Sequence, residues 1–326
     1  MGAMIIKGVE MKIAVLFPGQ GSQYLGMGRE FIESDPDCAA IMEQAEAVCD
    51  FPLRQLCIDG PMEELTRAIH LQPAITVTNL ICWQALQNGW GGRAVASCFA
   101  GHSLGEYSAL CASGVLSVED TMRLVARRGM LMEREGQKHP GAMRAVLGLN
   151  IVEVEGLIAQ CLGAGVATVA NYNTEQQIVI SGEVAALDAV GVMAAERGAR
   201  IIPLAVSVAN HSPLVADAVP DFAAFMAEVA FERPQTPVYF NVLAATEEEP
   251  VMIREIMARQ IASRVRWFEL IQAMIGQGVD TFIEVGPKTV LKGMIRKIAP
   301  KGYVYQALQL DSPDTLSQCL EQIGLN

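Results

Sequence analysis

Unbroken apolar runs of strand length alternate with amphipathic stretches along most of this 326-residue chain. The runs KIAVLF (12–17) and RAVASCFA (93–100) each lead into a glycine-containing turn and then into a helical pattern. Continuous apolar runs of this length predict buried strands. The pattern therefore predicts an α/β fold. Helices are expected in MEELTRAI and PAITVTNLICWQALQ and at 24–33, 117–135, 213–229, 250–262, 267–277 and 288–298, with further strands in PVYFNV, TFIEV and YVYQA.

The order of the predicted elements changes after GQKHPGAM, a stretch that is typical of a linker. The elements predicted next follow the order strand, helix, strand, strand, helix, strand. They are expected at 143–149, 152–162, 166–170, 177–181, 184–197 and 200–206. This order is typical of a ferredoxin-like unit. We therefore predict a large α/β domain at 11–137 and 207–326, a small inserted subdomain at 138–206, and a functional cleft between them.

The N-terminal stretch MGAMIIKGVEMK is too short and too weakly apolar for a signal peptide. We interpret Met11 as the natural start and residues 1–10 as an N-terminal extension. No apolar run reaches the length of about 18 residues that predicts a membrane-spanning helix. Membrane insertion is therefore not expected.

Composition and charge narrow the class of protein further. Apolar residues make up 51% of the chain, which is enough for a substantial core, and the formal net charge is −12. That charge disfavours nucleic acid and anionic membranes as partners. The eight cysteines include no C-x-x-C pair, so free thiols in a reducing cytoplasm are expected.

The stretch GHSLG (101–105) places a serine between two glycines, after a predicted strand and before a predicted helix. This context is typical of a nucleophile elbow, where glycines allow a sharp turn and the serine hydroxyl is presented at a helix N-terminus. The free N–H groups there favour negative charge, so an oxyanion could form beside Ser103. A purely structural turn is the alternative.

A serine nucleophile needs a base. The chain has four histidines. His70 precedes LQP at a helix end, His139 lies in the linker, and His102 adjoins the serine and should point away. His211 remains, in the loop VANHSPL at the predicted junction of the two domains, where a base could face the cleft. A surface-loop histidine is the alternative interpretation.

These motifs together resemble the malonyl-CoA:acyl carrier protein transacylases and the related acyltransferase domains of polyketide synthases. The resemblance covers nearly the whole chain from Met11. It is carried by FPGQGSQ (17–23), GHSLGEYSAL (101–110), RRGMLM (127–132), NYNTEQQIVISG (171–182), VSVANHSPL (206–214), RQIASRVRW (259–267) and EVGPKTVL (284–291). It implies an α/β-hydrolase-like core with an inserted ferredoxin-like small subdomain.

The resemblance also implies an activity and the residues that perform it. A malonyl group would pass from malonyl-CoA to the phosphopantetheine thiol of an acyl carrier protein through a malonyl-serine intermediate, with no metal or bound organic cofactor. Ser103 would be the nucleophile and His211 its base, oriented by the backbone carbonyl of Gln260. Gln20 and the N–H of Leu104 would supply the oxyanion hole.

For the substrate, the resemblance implies that Arg128 holds the malonyl carboxylate. Met132 and Asn173 match residues that line the acyl and thioester pocket. One position departs from the family pattern, because Asn210 precedes the histidine where malonyl-selective members often have phenylalanine. An acyltransferase for a 2-substituted malonyl unit therefore stays an alternative.

The position of Arg128 can also be judged from the helical pattern alone. At about 100° per residue, it falls inside the apolar arc of helix 117–135, between Leu124 and Met132. A guanidinium placed there is unfavourable unless a carboxylate meets it. An internal salt bridge is one interpretation, and a pairing left for the substrate carboxylate is the other.

Carrier proteins of this family are typically acidic, so docking on a chain of charge −12 needs a local basic patch. In PKTVLKGMIRKI, Lys288, Lys292 and Arg296 recur every four residues, which predicts one helix face beside an apolar stripe. An ordinary solvated face is the alternative.

Two other functions stay open at this point. An acyl-thioester hydrolase acting on acyl carrier proteins would share Ser103 and His211 but would not need a carboxylate clamp at Arg128. A non-catalytic module that binds carrier proteins would not need an intact serine, histidine and Gln20 turn.

Overall fold

Two sheets of different size organise the chain. The computed structural model describes residues 4–6, 9–93, 95–206 and 208–324. Within these residues the strands are β1 (Met4–Ile6), β2 (Val9–Met11), β3 (Ile13–Phe17), β4 (Ala96–Gly101), β5 (Ala142–Leu147), β6 (Ala167–Thr174), β7 (Gln177–Gly182), β8 (Arg200–Pro203), β9 (Val238–Phe240), β10 (Ala245–Thr246), β11 (Thr281–Val285) and β12 (Gln306–Leu310).

Helices separate most of these strands. They are α1 (Arg29–Ser34), α2 (Pro36–Val48), α3 (Leu53–Asp59), α4 (Met62–Leu65), α5 (Ala68–Gly89), α6 (Gly105–Ala112), α7 (Val118–Lys138), α8 (Ile151–Gln160), α9 (Val184–Glu196), α10 (Ala218–Met226), α11 (Pro250–Gln260), α12 (Trp267–Gly276), α13 (Leu291–Ile298) and α14 (Pro313–Gln322), with short 3₁₀ turns at Leu162–Ala164 and Pro213–Val215. The α/β prediction is therefore confirmed.

The larger sheet has the strand order β10-β9-β4-β3-β11-β12. Strands β9, β4, β3, β11 and β12 are parallel, and β10 pairs antiparallel at one edge. All five residues of β3 are buried. Ile13, Val15 and Phe17 pack into one apolar cluster, whereas Ala14 and Leu16 pack into another. The sheet is therefore covered on both faces, and β3 is buried, as its apolar run predicts.

The smaller sheet lies in the middle of the chain. Its elements occur in the predicted order, from β5 through α8, β6, β7 and α9 to β8. The strands are arranged as β6-β7-β5-β8, and every neighbouring pair is antiparallel. Helices α8 and α9 pack on the sheet through a separate apolar cluster that includes Val154, Leu157 and Leu187.

Backbone hydrogen bonds join the smaller sheet to the rest of the chain. The N–H of Tyr172 donates to the carbonyl of Val265 at 2.8 Å, and the N–H of Val265 donates to the carbonyl of Ala170 at 2.8 Å. The segment before α12 thus extends the edge of β6 by a short parallel bridge between Asn171 and Val265. This pairing attaches the smaller sheet to the segment between α11 and α12.

The predicted N-terminal extension, residues 1–10, falls partly outside the described residues. Its described part contains β1 and the start of β2, which pair antiparallel. The eight cysteines are free thiols, most of them buried. None of the described helices combines the length and the apolar character needed to cross a membrane.

The predicted basic helix face is wrong at its first residue. Helix α13 begins at Leu291, and Lys288 has a φ of 62° outside it. The helix starts late because the buried carboxylate of Glu284 accepts the N–H groups of Val290, Leu291 and Lys292 at 2.8–2.9 Å. Lys292 and Arg296 remain on one helix, and the apolar stripe beside them is buried.

Other element boundaries also differ from the predictions. The helix expected at 24–33 is confined to α1, because Gly26 and Gly28 adopt positive φ angles just before it. The last strand, expected in YVYQA, begins at Gln306, where pairing with β11 sets its register. Tyr303 instead closes a turn, because its N–H donates a hydrogen bond to the carbonyl of Pro300.

The turn between β4 and α6 is closed so tightly that it excludes side chains. A Cβ added at Gly101 would lie 1.9 Å from the carbonyl carbon of Gly105, and one at Gly105 would lie 2.1 Å from the carbonyl oxygen of Phe17. Backbone occupies the space on both sides and cannot move aside as a side chain can. Both glycines are therefore required where the β4–α6 turn packs on the end of β3.

We predict that Gly101→Ala lowers the free energy of unfolding by about 3 kcal/mol or more, because the new methyl group overlaps backbone. Denaturant unfolding measures this change. The matched control is Gly156→Ala, in α8, where an added Cβ meets nothing within 4 Å. It should stabilise by up to about 1 kcal/mol through helix propensity. Equal stabilities for the two variants would contradict the prediction.

Candidate active site

Ser103 lies at the top of the turn between β4 and α6, with a left-handed φ of 51°. Such backbone is strained for a serine and needs support from its surroundings. The side-chain amide of Asn241, just after β9, supplies it. The Ser103 N–H donates to Asn241 Oδ1 at 2.7 Å, and Asn241 Nδ2 donates to the carbonyl of Gly101 at 2.8 Å. One amide thus holds both the end of the strand and the serine.

His211 follows the smaller sheet in the sequence, and its side chain contacts this serine. Its Nε2 lies 2.7 Å from Ser103 Oγ. Its Nδ1 lies 2.9 Å from the carbonyl oxygen of Ser263 and 3.1 Å from that of Gln260. Carbonyl oxygens only accept hydrogen bonds, so Nδ1 carries the proton and Nε2 is free to accept one from Ser103. The carbonyl of Ser263 is a partner that the sequence analysis missed.

The environment of His211 keeps its ring neutral. The side chain is 4% exposed. Burial, reinforced by the positive charge of Arg128, lowers the pKa of His211 to about 3. The imidazole is therefore uncharged at neutral pH, and it is ready to take a proton from the serine hydroxyl.

Arg128 is 2% exposed and reaches the same hydroxyl from α7. Its Nη1 donates to Gln72 Oε1 at 2.8 Å, and its Nη2 lies 3.2 Å from Gln260 Oε1 and 3.3 Å from Ser103 Oγ. Its Nε has no hydrogen-bond partner. Among the residues that the structure describes, no ion pair involves Arg128. Burial lowers its pKa, but a guanidinium stays charged at neutral pH.

Gln260 connects three parts of the site through its side chain. Its Nε2 donates to the carbonyl of Ser103 and to Glu106 Oε2, both at 2.7 Å, while its Oε1 accepts from Arg128. Glu106 is fully buried, and its Oε1 accepts the N–H of Asn241 at 2.7 Å. Burial raises the pKa of Glu106 to about 8, although these hydrogen bonds and Arg128 act in the opposite direction.

Gln72, Glu106 and Asn241 belong to the site but were not predicted from the sequence. A weak signal existed for Glu106, since it is a carboxylate three residues after the serine inside an apolar helix. No comparable signal marks Gln72 or Asn241. Their importance follows from hydrogen bonds to residues far away in the chain.

The Gln20 turn packs against the serine turn. A Cβ added at Gly19 would lie 2.4 Å from the carbonyl oxygen of His102 and 3.5 Å from the N of Leu104. This contact brings the backbone beside Gln20 next to the N–H of Leu104. The side chain of Gln20 itself is exposed, and it lines the neighbouring cleft. Lys288, outside its predicted helix, donates to the carbonyl of Gly21 in the same turn at 3.4 Å.

A cleft of about 570 Å³ lies next to this site, although Ser103, His211 and Arg128 are not among its lining residues. Three of the predicted residues line it, Gln20, Met132 and Asn210, and Gln72 joins them. Asn173 does not line this cleft. Its Oδ1 lies 2.8 Å from Nε2 of His102, so Asn173 holds the histidine next to the serine instead.

The chain is similar in sequence and in fold to known proteins. A family model described as an acyl transferase domain matches residues 15–305. The malonyl CoA-acyl carrier protein transacylase of Salmonella typhimurium is 34% identical over 312 residues, covering 95% of this chain and 99% of that protein.

Solved structures agree with this similarity. The malonyl-CoA:acyl carrier protein transacylase of Xanthomonas oryzae superposes with a TM-score of 0.90 at 37% identity, covering 96% of this chain and 98% of that one. A malonyl-transacylase solved in complex with a type II PKS acyl-carrier protein superposes with a TM-score of 0.90 at 34% identity, covering 95% of this chain and 99% of that one.

We predict that the reactivity of Ser103 toward a small sulfonyl fluoride stays flat from pH 7 to pH 5. The pKa of His211 is depressed to about 3, so its basic form persists through this range. A histidine of ordinary pKa, near 6.5, would lose about 30-fold in rate at pH 5. The rate at which Ser103 is sulfonylated is measured at each pH by mass spectrometry of the intact protein. The control variant His211→Ala should react slowly at every pH. A decline in rate centred near pH 6.5 in the wild-type protein would contradict the prediction.

Proposed function

The chain belongs to the acyl transferase domain family, and we propose that it transfers a malonyl group from malonyl-CoA to the phosphopantetheine thiol of an acyl carrier protein. The observation that carries this proposal is the position of Arg128. A buried guanidinium without a carboxylate partner lies 3.3 Å from the hydroxyl of Ser103. The free carboxylate of a malonyl group is two bonds from its thioester carbon. An acyl group bound to Ser103 would therefore bring that carboxylate to Arg128.

The reaction proceeds in two halves. His211 Nε2 takes the Ser103 proton while Oγ attacks the thioester carbon. The carbon–sulfur bond then breaks, and CoA leaves with the proton from His211. In the second half, His211 takes the proton of the phosphopantetheine thiol and the sulfur attacks the carbonyl carbon of the malonyl-serine ester. The bond between that carbon and Ser103 Oγ then breaks, and His211 returns the proton to Oγ. These steps require no metal or organic cofactor.

We assign stabilisation of the oxyanion to Gln20 and the N–H of Leu104. Support for this assignment comes from the contact of Gly19 with the serine turn, which brings the Gln20 backbone beside that N–H. The hydrogen bonds from Nδ1 of His211 to the carbonyls of Gln260 and Ser263 fix the imidazole in the tautomer that can act as a base.

The fold that we propose for this activity is an α/β-hydrolase-like core with an inserted ferredoxin-like subdomain. Two features support it. The serine turn follows a central parallel strand of the larger sheet, as a nucleophile elbow does. The smaller sheet combines the β-α-β-β-α-β order with the antiparallel strand arrangement β6-β7-β5-β8.

The carboxylate clamp also separates the alternatives. A hydrolase of acyl carrier protein thioesters does not need a guanidinium beside its nucleophile, so Arg128 favours malonyl transfer. The choice between malonyl and a 2-substituted malonyl unit falls to Asn210. This residue is 7% exposed, lines the cleft next to His211, and has a buried Oδ1 without a hydrogen-bond partner.

For the carrier protein, we propose docking near Lys292 and Arg296 on α13. Their charges are local exceptions on a chain of net charge −12. Lys288 lies off this helix and donates to the carbonyl of Gly21, the residue after Gln20, which lines the cleft. A basic rim at this point would guide an acidic partner toward Ser103.

We predict that Ser103→Ala abolishes the covalent malonyl adduct while the fold is retained. Intact-protein mass spectrometry after incubation with malonyl-CoA measures the adduct, and circular dichroism checks the fold. The alanine removes only the attacking oxygen. An adduct of unchanged yield in the variant would place the nucleophile at another residue.

We predict that Arg128→Ala lowers malonyl transfer by about 100-fold, because the buried carboxylate loses its partner. Acetyl transfer does not use the clamp, so the ratio of malonyl to acetyl transfer should fall. The matched control is Arg127→Ala, the preceding residue on α7, whose guanidinium packs near Phe225 and not at Ser103. It should keep the preference for malonyl-CoA. If Arg128→Ala keeps that preference as well, the clamp is elsewhere and hydrolysis becomes the better interpretation.

A further inference from the structure

A buried titratable group lies behind the serine turn and takes no part in the steps above. The carboxylate of Glu106, in the first turn of α6, is fully buried. Its two oxygens accept the N–H of Asn241 and the Nε2 of Gln260. Both partners are neutral amides, so neither of them balances a negative charge on Glu106.

The nearest opposite charge is Arg128, and Gln260 lies between the two. Its carboxamide donates to Glu106 at 2.7 Å on one side and accepts from Arg128 at 3.2 Å on the other. The two charges thus attract each other without direct contact. In a buried site, such an attraction is far less screened than at the surface.

The number of charges in this site depends on the proton of Glu106. When Glu106 is ionised, it already balances Arg128, and a malonyl carboxylate would leave one buried negative charge in excess. When Glu106 is protonated, Arg128 is unbalanced, and the malonyl carboxylate completes the pair. An excess buried charge is strongly unfavourable, so binding of the anionic acyl group favours the protonated form.

We infer that Glu106 is a specificity-determining residue whose neutral form lets Arg128 hold an anionic acyl group and whose ionised form weakens that hold. This inference rests on the proposed malonyl transfer and extends it. A neutral acyl group such as acetyl makes no use of Arg128. Its transfer should therefore not depend on the charge of Glu106.

The groups around Glu106 titrate in other pH ranges, so a change of pH can alter the charge of Glu106 alone. Burial raises the pKa of Glu106 to about 8. Burial lowers the pKa of His211 to about 3, lowers that of His102, and raises that of Tyr107 above its ordinary value near 10. Arg128 remains charged. Among the described residues facing Glu106, only its own carboxyl group therefore changes charge between pH 7 and pH 9.

The experiment measures acylation of Ser103 by malonyl-CoA and by acetyl-CoA from pH 7 to pH 9. As the pH rises through about 8, Glu106 loses its proton and the hold on malonyl weakens. The KM for malonyl-CoA should rise about tenfold relative to that for acetyl-CoA, the effect of one linked proton over this interval.

Two variants complete the test. Glu106→Gln keeps the site neutral, so the ratio of the two KM values should become independent of pH. Glu135→Gln removes a buried carboxylate of α7 that pairs with Arg134 and has no hydrogen bond to Arg128 or Gln260. This variant should keep the pH dependence of the wild-type protein. If Glu106→Gln does not fold, the pH profile of the unmodified protein decides alone.

The outcomes test the role of Glu106 and the proposed malonyl transfer separately. A malonyl adduct whose KM ratio is the same at pH 7 and pH 9 would overturn the role of Glu106 and leave malonyl transfer standing. The absence of any acyl-enzyme with malonyl-CoA would overturn the proposed function, and this inference with it.

Discussion

The burial of a guanidinium beside a serine hydroxyl is the constraint around which this molecule is arranged. Arg128 is 2% exposed and occupies an apolar helix face, where a charge is unfavourable without partners. The protein meets this cost with two neutral amides, Gln72 and Gln260, and places the carboxyl group of Glu106 one amide away. Partners of this kind hold the guanidinium in place but leave its charge available for a ligand.

Assembling these partners requires distant parts of the chain. Gln72, Ser103 and Arg128 precede the smaller sheet, whereas His211, Asn241 and Gln260 follow it. The parallel pairing of β4 with both β3 and β9 brings the two halves together at the ends of neighbouring strands. In open parallel sheets, functional groups gather at these ends because loops from several strands converge there.

The parts of the site that carry a local signature could be predicted from the sequence. Ser103 is marked by its glycines, Arg128 by its place in an apolar arc, and His211 by its loop. The orientation of these groups could not be predicted, because it depends on the carbonyl of Ser263 and the amide of Asn241, which lie far away in the chain. Regular spacing was misleading where a side-chain cap decides the helix start. Lys288 falls outside α13 because the carboxylate of Glu284 caps the backbone after it.

The bridge between Asn171 and Val265 has a consequence for how the smaller sheet behaves as a unit. Strand β6 is an outer strand of that sheet, so its free side presents unpaired N–H and C=O groups. Such an edge is a template for pairing with other chains. The segment around Val265 covers part of it with two backbone hydrogen bonds. The β6 edge is therefore partly covered only while the smaller sheet stays attached to the segment around Val265. An excised smaller sheet would expose the whole of this edge to pairing with another chain.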